Sequence, residues 1–215
     1  MDDIKNTEVH PLLPFLPEKA KLLMLGSFPP PRKRWSMDFY YPNLQNDMWR
    51  IFGAIYFTDP AYFLIPDRKA FDQPRIEAFA REIGLALFDT ASEVRRLQEN
   101  ASDKFLEVVT PTDVVALLHQ LPYCKALVVT GQKAMDVIRG QLLSAINASG
   151  DLVLSAEICP EPKIGDSIEF LFGDRKLRLY RMPSSSRAYP LSLDKKAAYY
   201  RKMLQELSLL SPVKK

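Results

Sequence analysis

The stretch with the most chemistry per residue runs from Gly26 to Trp49. It interrupts an apolar run, Leu22-Leu23-Met24-Leu25, with Gly26-Ser27-Phe28-Pro29-Pro30-Pro31. It ends in Phe39-Tyr40-Tyr41-Pro42-Asn43-Leu44-Gln45-Asn46-Asp47-Met48-Trp49. A short apolar run bounded by Gly and Pro predicts a buried strand. Residues just past the carboxyl end of such a strand line the ligand crevice of an open α/β sheet. Gly26 would let a ligand approach the backbone there, and the Pro run stiffens the turn. The loop therefore holds aromatics and one amide, Asn46, over the expected crevice. An Asn cannot take up a proton as a carboxylate can, but it can orient a water by hydrogen bonding. It equally suits the N-cap of the helix that follows, and the pattern alone leaves both roles open.

A second polar group, Ser184-Ser185-Ser186, precedes the last predicted helix. Hydroxyls and backbone amides near a helix start suit phosphate contacts, although a serine triplet also reads as a surface turn. Arg32-Lys33-Arg34 with Trp35, and Lys195-Lys196, can flank a polyanion or simply be solvated faces. Asp89, at a predicted strand end, reads as a turn cap. His10 reads as structural, because no Ser, Cys or carboxylate stands at a recognisable spacing from it.

Strands and helices alternate along the chain. Strands are expected at 21–25, 85–88 and 126–129, and at 168–172 and 177–182 around a Gly173-Asp174 hairpin. Helices are expected at 45–56, 74–83, 112–120, 132–146 and 193–210. Gly84 should end the second of them. Residues 58–73 read as a loop, and 147–165 as irregular with one short strand at Leu152-Val153-Leu154. Residues 1–18 form a leader packed across the sheet, and 211–215 a basic tail. The alternation predicts an α/β class with a mostly parallel central sheet.

The 215 residues suffice for one domain with a sizeable core. Hydrophobic content of 47% and charged content of 26% are those of a globular chain. A net charge of +3 and a pI of about 8.8 are compatible with nucleic acid, but binding would have to come from a local patch. Cys124 and Cys159 form no metal-ligand spacing and predict no disulfide framework, so a reduced, cytoplasmic setting is expected. No apolar run reaches membrane-spanning length, and no signal peptide is expected at the N-terminus.

Gly26-Ser27-Phe28-Pro29, Tyr40-Tyr41 and Asn46-Asp47-Met48-Trp49 together resemble the first motif region of the uracil-DNA glycosylase superfamily. The nearest branch is that of the hypoxanthine-DNA glycosylases, followed by the mismatch-specific uracil-DNA glycosylases. The former carries Gly-Ser-(Leu/Phe)-Pro-Gly and then Tyr-Tyr-x-His-Pro-x-Asn-x-Phe-Trp. Ala126-Leu127-Val128-Val129-Thr130-Gly131-Gln132-Lys133-Ala134 is similar to a strand ending in Asn-Gly-x-Lys-Ala. Met182-Pro183-Ser184-Ser185-Ser186, with Leu191 to Lys196, resembles the Leu-Pro-Ser-x-Ser loop and its helix. Phe28 stands where the mismatch-specific enzymes hold a catalytic Asn, which points to the branch using the later Asn. Other departures are Pro30 for Gly, Asn43 for His and Thr130 for Asn.

The resemblance implies a single-domain, three-layer α/β/α fold and a monomeric, monofunctional DNA glycosylase. Such an enzyme hydrolyses the N-glycosidic bond of a deaminated base, uracil or hypoxanthine, without metal or cofactor. Asn46 is the implied catalytic residue. Gly26, Ser27, Phe28, Tyr41 and Thr130 form the implied base pocket, with Tyr41 stacking on the flipped base. Ser184, Ser185, Ser186, Arg187, Tyr189 and Lys195 are the implied DNA contacts, Arg187 to Tyr189 entering the duplex as a wedge. The rivals are a Rossmann-like enzyme of free nucleosides or nucleotides and a non-catalytic nucleic-acid binder.

Overall fold

The structure, a computed structural model, describes residues 7–98, 103–148 and 161–210. The leader contributes a short strand, β1 (Thr7–Val9), and β2 (Leu22–Gly26) follows. β2 is buried at every position, the mark of a strand covered on both faces. α1 (Met48–Tyr56) turns Met48, Trp49, Ile51, Phe52 and Ile55 into the core. The stretch expected as a loop contains a small hairpin, β3 (Leu64–Ile65) and β4 (Ala70–Phe71), with Pro66–Arg68 as its turn. α2 (Gln73–Ile83) begins where the Asp72 carboxylate accepts from the Arg75 N–H, and it stops at Gly84, whose φ is +74°. β5 (Leu85–Asp89) is buried throughout.

Two further strands escape sequence reading, β6 (Ala91–Arg96) and β7 (Leu106–Pro111). Only Ala91 and Val94 of β6 are buried, and register shifts fall between Ala91 and Val94. A bulge of this kind removes the two-residue alternation by which a half-buried strand is recognised. α3 (Val114–His119), β8 (Ala126–Thr130), α4 (Gln132–Ala148), β9 (Ser167–Phe172), β10 (Arg175–Met182) and α5 (Leu193–Glu206) fall close to expectation. The expected strand at 152–154, Cys159 and the basic tail lie outside the described residues.

The main sheet has the order β5-β2-β8-β10-β9, with every pair parallel except β10 and β9. The class is therefore mixed α/β with a mostly parallel sheet. The chain leaves β2 for β5 on one side, then crosses back to β8 on the other. That reversal is a topological switch point, the place at which open α/β sheets form their ligand crevice, here at the carboxyl ends of β2 and β8. Gly26, Asp89, Thr130 and Met182 end their strands side by side there. A second sheet, β1-β6-β7, is antiparallel and grows directly from the end of β5. The leader crosses the β5 edge, where Phe15 bridges Leu87 and the Tyr40 hydroxyl donates to the Leu13 carbonyl at 2.8 Å.

Candidate active site

Two polar clusters meet at the carboxyl edge of the sheet. The first gathers Gly26, Tyr41 and Thr130, three of the implied base-pocket residues, and adds two residues that sequence reasoning set aside. His10 Nε2 lies 3.0 Å from Asp89 Oδ2, with both side chains almost fully buried. The ring sits among Phe28, Tyr40 and Phe88, and its Nδ1 lies 2.8 Å from the Leu12 carbonyl. His10 thus has a carboxylate partner, 79 residues away in sequence. Only the pairing of the leader with the β5 and β6 strands brings the two together, so no spacing could announce it.

This corrects the expectation for Gly26. A Cβ there would lie 2.4 Å from Asp89 Oδ1, so the close approach that demands glycine is made by Asp89 itself. The second carboxylate oxygen is therefore held over the β2 terminus. The Tyr41 hydroxyl stands beside it and lies 3.4 Å from Thr130 Oγ1. Thr130 also reaches the Leu25 carbonyl at 3.5 Å, a long contact. Burial pushes the Tyr41 phenol far above its ordinary range, and the Asp89 charge adds to this, while the Thr130 hydrogen bond opposes it. Tyr40 is raised by burial, then by Asp89 and Tyr41. Both phenols are thus neutral hydrogen-bonding groups at ordinary pH. Tyr41 has φ of +53°, a conformation costly for a non-glycine residue and found most often where a site demands it.

The remaining predicted pocket residues are placed differently. Phe28 packs toward the small sheet against Ala91, Val94 and Leu106, with the Arg96 guanidinium 5.6 Å from its ring. Ser27 is partly buried at the loop start.

The second cluster joins the Asn46 stretch to the serine loop. Asn46 Oδ1 accepts from the Met48 N–H at 2.9 Å, so its oxygen holds the first N–H of α1 from one residue before the N-cap; the N-cap position itself is taken by Asp47, whose side chain makes no capping bond. The amide nitrogen has no partner among the described residues. Asn46 bridges Ser186, the Asp47 N–H donates to the Ser185 carbonyl, and the Arg187 N–H donates to the Gln45 carbonyl. Asp47 is the hub: Oδ1 accepts from Arg187 Nε at 2.9 Å and Oδ2 from Lys196 Nζ at 3.1 Å. Lys196 is fully buried and also donates to the Ser186 carbonyl at 2.8 Å. Lys196, read from the sequence with Lys195 as able to flank a polyanion, is instead turned into the core and bound to Asp47, because it falls on the apolar face of α5.

A Cβ at Gly131, next to Thr130, would lie 3.7 Å from Ser184 Cβ, so the two clusters are neighbours. The serine loop is therefore not a free surface turn: Ser185 is buried, and Ser184 and Ser186 accept from the backbone N–H groups of Ser186 and Ala188. Arg187, Ala188 and the side chain of Lys195 are exposed, and Tyr189 is partly so. Arg187 keeps an ion pair with Asp47 while almost half its side chain faces solvent. Arg32 lies over Trp35 and pairs with Asp38, so part of that basic patch is internally satisfied. Among the described residues no cluster of His, Cys, Asp or Glu could hold a metal. No described helix is long and apolar enough to cross a membrane.

No family model and no curated protein matches the chain. Its structure is similar to the solution NMR structure of a proposed uracil DNA glycosylase from Methanosarcina acetivorans. The two are 19% identical, and the match covers 91% of this chain and 97% of the other, with a TM-score of 0.55. The two chains share a fold. At this identity the likeness speaks for the arrangement of strands and helices, and the site has to be argued from its own residues.

Proposed function

We propose that the protein is a DNA glycosylase that hydrolyses the N-glycosidic bond of a deaminated base, uracil or hypoxanthine. The observation that carries this reading is the meeting of the two clusters at the switch point. One groups Gly26, Tyr41, Thr130 and Asp89 at the carboxyl ends of β2, β5 and β8. The other holds Asn46 against a loop whose exposed tip is Arg187 to Tyr189. Removal of a base needs both parts, since the nucleotide must be extruded and then gripped. The fold shared with a proposed uracil DNA glycosylase supports the same reading.

In this reading Asn46 orients the attacking water. Its oxygen has a second lone pair beyond the one bonded to the Met48 N–H, and its amide nitrogen is available. Backbone amides near Ser27 and Phe28 and the outer oxygen of Asp89 read a carbonyl beside an N–H, a pair that uracil and hypoxanthine share. Asp89 would also accept from an exocyclic amino group, so rejection of normal bases rests on the backbone donors. An unpaired buried donor costs about 1–3 kcal/mol, enough for roughly tenfold discrimination. Ser184, Ser186, Tyr189 and Lys195 contact the strand. The whole chain acts as one three-layer α/β/α monomer, on cytoplasmic DNA and without a metal.

The test is incubation with oligonucleotides carrying single uracil, hypoxanthine, xanthine or mispaired thymine, followed by alkali. Cleavage at uracil or hypoxanthine is expected. Salt-sensitive DNA binding without cleavage would favour a non-catalytic binder, and turnover of free nucleosides without DNA affinity would favour the small-substrate enzyme.

A further inference from the structure

At the opposite edge of the sheet, where β2, β8 and β10 begin, lies a groove of about 680 Å³. Lys19, Lys21, Tyr123, Lys125, Arg175 and Lys176 line it, with no acidic side chain. β2 alone separates this groove from Gly26 by on the order of 15 Å. Two of the cations are occupied. Arg175 donates to the Leu118 and Leu121 carbonyls and lies over Phe172, and Lys176 pairs with Glu169 at 2.5 Å. Lys19, Lys21 and Lys125 are exposed and have no acidic partner among the described residues. Tyr123 is 61% exposed beside them.

We propose that this groove is a second site, for single-stranded nucleic acid, distinct from the crevice at the carboxyl edge. Three exposed lysines lining one groove complement the charge of a phosphate backbone, and an exposed tyrosine beside them offers a face on which a base can stack. An acidic peptide would match the charge but finds little else. The Lys21 N–H is taken by the Gly84 carbonyl, that of Lys125 by the Lys21 carbonyl, and that of Arg178 by the Lys125 carbonyl. The strand starts therefore offer a peptide backbone no row of partners. The proposal does not depend on the glycosylase reading.

Fluorescence anisotropy with a labelled oligothymidylate of about ten nucleotides, over a salt series, tests it on the full chain. The K19E/K21E/K125E variant should lose about tenfold or more in affinity at low salt. Its salt slope should be shallower by about two, the value for three lost phosphate contacts on a single strand. K19Q/K21Q/K125Q should fall between it and the parent. Tyr123→Ala should weaken binding about tenfold at an unchanged slope. In the unaltered protein, oligothymidylate should shield Lys19, Lys21 and Lys125 from amine-reactive labelling. Any excision from short duplexes should persist in the lysine variants. Unchanged affinity and slope in K19E/K21E/K125E, or no shielding of the three lysines, would overturn the proposal. Displacement by polyglutamate as effective per charge as by unlabelled oligonucleotide would reassign the groove to acidic peptides.

Discussion

At the scale of single residues, the Asn46 side chain is shared between the start of α1 and the proposed chemistry, and these separate experimentally. Asn46→Ala should lower single-turnover excision by about 10²–10⁴-fold, the range for a positioned proton-handling group. It should also cost about 1 kcal/mol of stability through the lost hydrogen bond to the Met48 N–H, with DNA affinity nearly intact. Full activity in the folded variant would remove Asn46 from the mechanism and bring Asp89 forward. Thr130 is the residue most directly tied to base choice. Its hydroxyl is spent on long contacts with Tyr41 and the Leu25 carbonyl, whereas Asn would offer a donor and an acceptor together. Thr130→Asn should therefore change the ratio of uracil to hypoxanthine excision, and an unchanged ratio would take Thr130 out of the pocket.

At the scale of elements, the serine loop is positioned by a buried charge network as well as by its own turn bonds. Lys196 on α5 and Asp47 before α1 hold it from both sides. Lys196→Met would leave Asp47 with Arg187 alone. Removing one member of a buried ion pair costs about 3–5 kcal/mol, and the remaining partner should keep the loss near 3 kcal/mol. Urea unfolding measures this, and a loss below 1 kcal/mol would mean that the network contributes little. Replacing Arg187 and Tyr189 together by Ala should reduce excision from duplex more than from single strands, because only the duplex must be distorted to release the base. Equal losses would argue against a wedge.

At the scale of the whole molecule, the core is rich in tyrosines whose hydroxyls are held neutral. Burial raises Tyr40, Tyr41 and Tyr200 well above their ordinary range and pushes Tyr56 up to about 12. The folded form thus holds these protons more tightly than the unfolded chain, whose phenols ionise near pH 10. Their contribution is fully present below pH 10 and is lost as pH rises above it, up to about 12 for Tyr56 and beyond for the others. Each such phenol should steepen the loss by about 1.4 kcal/mol per pH unit. Urea midpoints measured from pH 8 to 11 should be flat in these phenols' contribution and then fall, and Tyr41→Phe should make the fall shallower. An identical slope in that variant would show that Tyr41 ionises alike in both states.

The local structure can be read directly from the residues. The all-apolar runs at 22–25, 85–88 and 126–129 could only be satisfied as covered strands, and Asp72, Gly84, Asp113 and Ser192 mark helix ends through bonds to their own neighbours. The alternation of those elements already implied a mostly parallel sheet. Pairing over distance, by contrast, exists only once the chain has folded. β6 and β7 owe their existence to partners and to a bulge that hides their pattern. His10 meets Asp89, Gly26 is glycine because of Asp89, and the serine loop is tied down by Asp47 and Lys196. None of these contacts leaves a periodic trace, because each joins residues far apart in sequence through atoms that meet only once the sheet order is set.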